Sequence, residues 1–399
     1  MLEVFVGRQP IYDQQLEVFG YELLMHRYEA NSTEVAGDNR TASQMILNTF
    51  MEIGFDRLVG NGSAFIKLPR DFIVEQYPLK FFHDRVVLEV KENVAADKEL
   101  KDALREISDR GFQIALDDVI DAESVMPLLD IINIIKVDIS AVEHSHLEKL
   151  FTTLKKKKIK FLAKNIETLD VFDMCRKIGF DYFQGFFLCL PNLESEHRIP
   201  ATRMATLRLL AKLNETNIEF KELEEIILSD VALSYRLLRL VNSAFYSKPK
   251  EIKSLKQALT LLGIRRIRDW VSLLLLSNIV DKPNELVITA MERAKMCELL
   301  SLTLKSRYVE MGFMIGMFSV LDALLDTPLE EIVSTLPVAE EVSLALLHHE
   351  GDLGNVLKCV LAYERGEWDT ALATGLDPNA IRDAFLESLD WATEVSSFI

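Results

Sequence analysis

Cysteine is scarce in this sequence. The chain of 399 residues has only four cysteines, and they stand far apart, without the close pairing of a zinc-binding or disulfide motif. A disulfide framework needs several paired cysteines and an oxidising compartment. We therefore expect reduced thiols, as in a cytoplasmic protein.

Long apolar runs and an excess of positive charge are lacking as well. An uninterrupted run such as residues 271–276 is far shorter than the roughly 20 residues of a membrane span. The first residues include the acid Glu3 and only a brief apolar run, so we expect no signal peptide. The formal charge of −17 opposes binding to a nucleic acid polymer or an anionic membrane, because both attract cationic surfaces. The sequence predicts a soluble, cytoplasmic protein with neither of these as a partner.

Length and composition predict two domains. A chain of 399 residues exceeds one ordinary core, and 49% of its residues are hydrophobic, enough for a core in each half. The polar segment 192–197 between Pro191 and Pro200 is typical of a domain junction. We predict one domain at residues 1–195 and a second at residues 200–399.

The first domain alternates short apolar strands with helical patterns. Strands are predicted near residues 3–6, 18–25, 64–68, 86–90, 113–116, 132–137, 160–163 and 182–184. Apolar residues at helical spacing lie between most of them, in residues 41–53, 98–110, 147–154 and 171–178. About eight strands separated by helices predict an α/β fold, a TIM-like β/α barrel.

Polar side chains recur near the carboxyl ends of these strands, where β/α barrels carry their functional groups. They are Glu22, Lys67, Glu89, Asp117, Asp118, Lys136, Asp138, Lys164 and Gln184. The adjacent carboxylates Asp117 and Asp118 repel each other unless a cation or a proton lies between them, which indicates a metal or a nearby lysine. A helix cap is the other interpretation, and the pair alone leaves both open.

Seven short motifs follow one another in order over the first domain. They are Gln-Pro-Ile-Tyr at 9–12, Tyr-Glu-Leu-Leu at 21–24, Leu-Glu-Val-Lys-Glu at 88–92, Ala-Leu-Asp-Asp at 115–118, Ile-Lys-Val-Asp at 135–138, Ile-Glu-Thr at 166–168 and Phe-Gln-Gly-Phe-Phe at 183–187, with Pro191 after them. This series resembles the EAL domain, a family of phosphodiesterases that hydrolyse the bacterial messenger cyclic di-GMP. The resemblance implies a barrel in which acidic side chains hold two divalent cations that activate a water.

The resemblance also implies roles for particular residues. Those matching metal ligands are Glu22, Glu89, Asp117 and Asp118; those matching catalytic or supporting residues are Lys136, Gln184, Glu167 and Glu92; and those matching the substrate-binding motif are Gln9 and His26. Several positions depart from the family. Lys67 replaces a metal-binding asparagine, Lys164 replaces a glutamate, and His26 replaces an arginine. The loop at 119–122 lacks the glycines of active members.

These departures have a physical consequence. An ammonium group about 4 Å from a divalent cation repels it by roughly 8 kcal/mol at an effective dielectric constant of 20. We therefore predict that Lys67 and Lys164 act as built-in counterions and replace the metals, so that the implied ligands and catalytic residues are vestigial. No cofactor is expected under this interpretation, whereas Mg²⁺ or Mn²⁺ is expected if the barrel is an active phosphodiesterase.

The second half shows helical spacing only. Apolar residues recur at helical period in residues 204–213, 223–227, 231–241, 254–263, 269–280, 285–310, 312–325 and 377–397. The sequences at 237–246 and 252–263 resemble the HDOD domain, an all-helical relative of HD phosphohydrolases that is linked to signalling. In this comparison residues 316–320 stand where a His-Asp pair would be, and Arg293 replaces a histidine. The run His348, His349 and Glu350 is predicted to be surface, because adjacent helical residues point in different directions.

Together these patterns predict a bacterial signalling protein with a degenerate EAL domain followed by an HDOD domain. It would act through contacts of the HDOD domain and the barrel with other signalling proteins, in cyclic di-GMP-linked control of motility or biofilm formation. Two alternatives stay open: an active metal-dependent phosphodiesterase, and a sensor that binds cyclic di-GMP without hydrolysis. A homodimer also stays open.

Overall fold

The computed structural model describes residues 3–28, 53–75, 84–91, 98–154, 158–191, 201–213, 218–228, 230–241, 254–278, 282–304 and 308–396. The chain divides into two compact units, Met1–Leu188 with Glu364–Gly366, and Cys189–Tyr363 with Glu367–Ile399. The predicted junction at residues 192–197 lies outside the described residues. The domain boundaries at 195 and 200 therefore stay a prediction.

The first unit is a closed barrel of eight strands, each beside its neighbour in sequence. The strands are β1 Glu3–Tyr12, β2 Val18–Tyr28, β3 Ser63–Lys67, β4 Val86–Lys91, β5 Gln113–Asp117, β6 Ile134–Asp138, β7 Lys160–Lys164 and β8 Tyr182–Gln184. All eight overlap the predicted strands, and the predicted barrel is confirmed. Apolar runs in β3 to β7 are buried on both faces, as parallel barrel strands require.

One strand runs against the others. β1 is antiparallel to both β2 and β8, whereas the pairs from β2 to β8 are parallel. The connection at residues 13–17 explains this reversal, because a parallel crossover needs a dozen or more residues. In this tight turn Asp13 Oδ1 accepts hydrogen bonds from the backbone N–H groups of Gln15 at 2.8 Å and Glu17 at 3.0 Å.

Helices follow most of the parallel strands. The described ones are α1 Phe55–Val59, α2 Arg70–Val74, α3 Lys98–Asp109, α4 Ala122–Val125, α5 His144–Leu154 and α6 Leu169–Ile178, with 3₁₀ turns at Met126–Leu128 and Phe187–Cys189. The α6 helix shows how sequence sets the ends: Thr168 Oγ1 accepts from Val171 N at 3.3 Å, and Gly179 closes it at φ 111°. Most of the helix predicted at residues 41–53 lies outside the described residues.

The second unit is helical throughout its described part. Its helices are α7 Ala201–Leu213, α8 Phe220–Leu228, α9 Val231–Val241, α10 Leu255–Leu262, α11 Ile264–Asn278, α12 Asn284–Ser301, α13 Tyr308–Phe318, α14 Leu321–Leu325, α15 Leu329–Thr335, α16 Glu340–His348, α17 Gly351–Glu364, α18 Trp368–Leu372 and α19 Pro378–Ser396. The all-helical prediction is confirmed. The pattern predicted at 285–310 corresponds to α12, which ends at Ser301, and the pattern at 312–325 is divided between α13 and α14. The sequence analysis did not predict helices α15 to α18.

Helix packing in this unit is close where the side chains are small. An added Cβ at Gly316 of α13 would lie 2.3 Å from the backbone oxygen of Arg293 in α12. Glycine is therefore needed there for the two backbones to approach. None of the helices in the described part of the chain combines the length and apolar character needed to cross a membrane.

Candidate functional site

The barrel interior has an apolar layer with a polar layer next to it. The apolar layer consists of Ile11, Phe65, Val87, Ala115, Ile134 and Leu162, with Phe19 and Tyr182 packed against it. Side chains two residues apart on a strand share a face, so the next inward positions toward the carboxyl ends of the parallel strands form a second layer. This polar layer consists of Gln9, Glu22, Lys67, Glu89, Asp117, Lys136, Lys164 and Gln184. β1 contributes through Gln9, two residues before Ile11, because it runs in reverse.

Lys136 is the centre of the polar layer. Its side chain is fully buried, and Nζ donates a hydrogen bond to Glu22 Oε2 at 2.7 Å and another to Glu89 Oε1. Gln184 Nε2 donates to the same Glu22 oxygen at 2.8 Å and to Gln9 Oε1 at 2.8 Å. The Lys136 ammonium thus joins carboxylates from β2 and β4, and the Gln184 amide supports the first of them.

A second group of charges surrounds Asp117, whose side chain is 1% exposed. Lys164 Nζ donates to Asp117 Oδ1 at 2.7 Å and also to Asp118 Oδ1. Lys67 Nζ lies 2.9 Å from the other oxygen of Asp117. The backbone N–H of Asp118, at φ 58°, donates to Asp117 Oδ1 at 2.9 Å. Lysine ammonium groups therefore lie beside both carboxylates, whereas the next helix, α4, begins only at Ala122.

The pKa values in the layer follow from burial and the lysines. Burial acts to raise the pKa of Asp117, but the three lysine ammonium groups outweigh it and hold the pKa below its usual value. Burial likewise opposes the charged form of Glu22, yet Lys136 keeps its pKa lowered. Glu89 differs, because burial dominates and raises its pKa to about 7. Burial acts to lower the pKa of Lys136, and the carboxylates around it raise the pKa above its usual value.

The charge count explains why one acid differs. Three lysines face the four carboxylates of Glu22, Glu89, Asp117 and Asp118, which leaves one negative charge without a cation. The Oε2 atom of Glu89 is buried and has no hydrogen-bond donor within the described part of the chain. A proton on Glu89 makes the layer neutral, in agreement with its raised pKa.

The remaining predicted residues lie at the edge of this layer or outside it. His26 lies four residues after Glu22 on β2 and therefore on the same side of the strand. Glu167 is exposed on the loop after β7, and within the described part of the chain it makes no hydrogen bond or ion pair to the layer. Glu92 lies outside the described residues. The roles assigned to all these residues stay predictions.

Asn165 contributes a contact that the sequence analysis missed. It adopts a left-handed backbone at φ 60°, directly after Lys164, and its Nδ2 donates to Asp138 Oδ2 at 2.8 Å. Asp138 Oδ1 also accepts from the N–H of Ser140 at 2.9 Å and its hydroxyl at 2.6 Å. The signal in the sequence is an asparagine immediately after a strand, since asparagine tolerates this backbone better than most residues.

The residues implied to bind two divalent cations do not fit that task. The oxygens of the four carboxylates accept from Lys136 and Lys164, and Lys67 stands beside Asp117. An ammonium group has no lone pair to offer a metal and repels it. Among the described residues no group of three or more histidine, cysteine or acidic side chains is placed to hold a metal ion.

The residues singled out in the second half of the sequence lie on separate helices of the helical unit or at their ends. Arg293 Nη1 donates to the Ser319 oxygens, the hydroxyl at 3.2 Å and the carbonyl at 3.3 Å, so the two stretches singled out by the HDOD resemblance are in contact. His348, His349 and Glu350 are all exposed, and α16 ends at His348.

A buried ionic cluster on α11 and α12 was not predicted. Glu298 accepts from Arg265 Nε at 2.8 Å and from Lys295 Nζ at 2.8 Å. Asp269 is 6% exposed, and Arg268 Nε lies 3.6 Å from its Oδ1. No local pattern marks this cluster, because its members come from separate helices.

Comparison with known proteins agrees with both halves. The EAL domain model matches residues 61–191, and the HDOD domain model matches residues 199–325. The chain is 32% identical to the cyclic di-GMP phosphodiesterase CdgJ of Vibrio cholerae, with 100% of this chain and 94% of that one covered. It is 30% identical to YuxH of Bacillus subtilis, with 98% of each chain covered. The chain therefore belongs to the family of proteins in which an EAL domain precedes an HDOD domain.

Among solved structures, the chain is similar to the Klebsiella pneumoniae BlrP1 calcium/cy-diGMP complex. The identity is 19% and the TM-score 0.39, and the match covers 46% of this chain and 54% of that one. The barrel is defined by its own strand topology.

Proposed function

We propose that this protein is a bacterial signalling protein in which a non-catalytic EAL domain and an HDOD domain act through protein contacts. Its context would be regulation linked to cyclic di-GMP, with motility or biofilm formation as the output. The family relationship supports the context, and the polar layer of the barrel supports the loss of catalysis. We also place the protein in the cytoplasm, as its sparse, unpaired cysteines suggest.

The observation that carries the proposal is the bridging of Asp117 and Asp118 by the Lys164 ammonium. In the phosphodiesterases that the sequence resembles, acidic residues at these positions hold cations. Here a protein cation neutralises them instead. Lys136, Gln184 and Glu167 would then be vestigial, with Lys136 serving the buried charge balance.

An active phosphodiesterase is the second candidate. It is favoured by the relative CdgJ, a cyclic di-GMP phosphodiesterase by name, and by the retained contact of Lys136 with Glu22 and Glu89. This candidate requires Lys67 and Lys164 to move aside so that Mg²⁺ or Mn²⁺ can bind.

Hydrolysis of cyclic di-GMP separates the two candidates. The purified full chain is incubated with the nucleotide and Mg²⁺ or Mn²⁺, and formation of the linear dinucleotide is followed by chromatography. We expect no turnover. The double variant Lys67→Asn with Lys164→Glu is the matched control and should gain metal binding. Multiple turnovers by the wild-type chain would refute the proposal.

Binding without hydrolysis is a third candidate, in which His26 and Gln9 at the mouth of the barrel contact the nucleotide. Calorimetry with cyclic di-GMP in the presence of calcium tests this sensor. Binding without turnover would make the nucleotide an input to the scaffold. A protein partner and a homodimer belong to the same proposal, and sedimentation of the purified chain tests the latter.

A further inference from the structure

We infer that Lys164, and not Lys67, is the side chain that keeps divalent metal ions out of the polar layer. The inference rests on the proposed function and refines it by assigning the exclusion to one residue. The sequence treats the two lysines alike, since each replaces a residue of the metal site. The structure distinguishes them by contacts, exposure and backbone support.

The contacts differ in kind. Lys164 Nζ donates to one oxygen of Asp117 and one of Asp118, so a single cation is shared by consecutive carboxylates. A bridging metal would have to occupy that same space. Lys67 makes one ion pair, at 2.9 Å, with the opposite oxygen of Asp117. Lys67 therefore stands beside the shared position, whereas Lys164 fills it.

Exposure decides how easily each ammonium is displaced. The Lys164 side chain is 15% exposed, and the Lys67 side chain is 45% exposed. A half-exposed ion pair contributes little, because water solvates the freed ammonium and the long stem can rotate. The more buried ammonium cannot leave without removing the cation that pairs with Asp117 Oδ1 inside the barrel, unless another cation replaces it.

The backbone next to Lys164 is fixed on two sides. Its carbonyl accepts from the N–H of Ile139 at 3.1 Å, and Asn165 is tied to Asp138 at 2.8 Å. The N–H of Ile166 then donates to the carbonyl of Gln184 at 3.1 Å. These bonds hold the end of β7 against both neighbouring strands, so only the Lys164 side chain is left to move.

The test is binding of Mn²⁺ to the full chain, measured by electron paramagnetic resonance of the free ion. Wild type is compared with Lys164→Gln and with Lys67→Gln, a matched pair that removes one ammonium each and offers an amide oxygen instead. Changes close to a metal site alter affinity about 10–100-fold. We expect Lys164→Gln to bind Mn²⁺ at least about tenfold more tightly than wild type, and Lys67→Gln to stay within about twofold of it.

Two further variants keep the test decisive. Lys164→Arg retains a cation and should bind Mn²⁺ as weakly as wild type. Lys164→Glu is a second removal of the ammonium, and circular dichroism establishes that each variant is folded. The inference is overturned if folded Lys164 variants lacking the ammonium gain no affinity, or if Lys67→Gln gains as much as Lys164→Gln. A gain confined to Lys67→Gln would overturn only this inference, whereas cyclic di-GMP turnover by wild type would overturn the proposed function.

Discussion

Replacing Lys136 by methionine tests whether the polar layer depends on its buried cation. Methionine has a similar length and no charge, so the change keeps most of the volume and removes the ammonium. Glu22 and Glu89 both pair with the Lys136 ammonium, and the change would leave these two carboxyl groups without that cation. We expect the barrel to fold with a marked loss of stability.

The size of the loss follows from the burial of all three groups. Removing one partner of a buried ion pair costs about 3–5 kcal/mol. Burial already raises the pKa of Glu89 to about 7, and Lys136 opposes that rise. Without Lys136, Glu89 takes up a proton more readily, which offsets part of the cost in acid. We therefore expect a loss of about 3 kcal/mol at pH 6 and about 5 kcal/mol at pH 8.

The stability of the wild-type barrel depends on pH through the same group, Glu89. The folded-state pKa of Glu89 lies above its ordinary value of 4.5, so the folded state binds the proton more tightly than the unfolded state. Its contribution to stability is fully present below about pH 4.5 and is lost as the pH rises through about 7. In the Lys136→Met variant this loss of stability should occur at higher pH and be larger.

Urea unfolding followed by far-ultraviolet circular dichroism is the appropriate assay. All three tryptophans lie beyond residue 200, so their fluorescence would report the helical unit and not the barrel. Lys160→Met is the matched control, because Lys160 pairs with Asp181 at 2.6 Å but its side chain is 57% exposed. That change should cost less than about 1 kcal/mol. Equal losses in the two variants would refute the role assigned to the buried ammonium of Lys136.

Two glycine substitutions probe the close approaches in each unit. Gly185→Ala should destabilise the barrel by more than about 2 kcal/mol in urea unfolding, because φ is 155° and the new Cβ would lie 2.0 Å from Ile166 O. Gly60→Ala, with positive φ but open space, is its control for backbone strain without a clash and should cost less than Gly185→Ala. Gly316→Ala should lower the thermal midpoint of the helical unit, since the Cβ would meet Arg293 O at 2.3 Å; an unchanged midpoint would contradict the close packing of α12 on α13.

The barrel could be predicted because its signals are local. Short apolar runs define the strands, and the period of two places the polar side chains on the inner face next to the apolar layer. The ion-pair partners could not be read in the same way. Lys136 reaches Glu22 across 114 positions of sequence and Glu89 across 47, separations set by barrel closure. The prediction that lysines neutralise the acids is consistent with these contacts, but the sequence assigned no lysine to a particular carboxylate.

The reversal of β1 and the cluster around Asp269 were not predicted for different reasons. The turn after β1 is short enough to require an antiparallel pair, so the information was present in the connection length. The partners Arg265 and Glu298 are 33 residues apart, on helices whose relative placement no local pattern specifies. Burial of Asp269 depends on that placement and not on its neighbours in sequence.

Asp269 makes the stability of the helical unit depend on pH, and replacing its carboxyl group by the isosteric amide of asparagine should remove that dependence. Burial, followed by the charge of Glu298, raises the pKa of Asp269 to about 7 from an ordinary value of 3.8. The folded state thus binds the proton more tightly, and this contribution to stability is lost as the pH rises from about 3.8 to 7.

Asn cannot ionise, so the stability of Asp269→Asn relative to wild type should increase by about 1.4 kcal/mol per pH unit between pH 5 and 7. Urea unfolding followed by tryptophan fluorescence, which reports the helical unit, measures this difference, with Asp383→Asn, whose side chain is 64% exposed, as the control. A difference that stays constant from pH 5 to 8 would show that Asp269 is ionised throughout, and that the helices around it supply a donor or cation which compensates the buried charge.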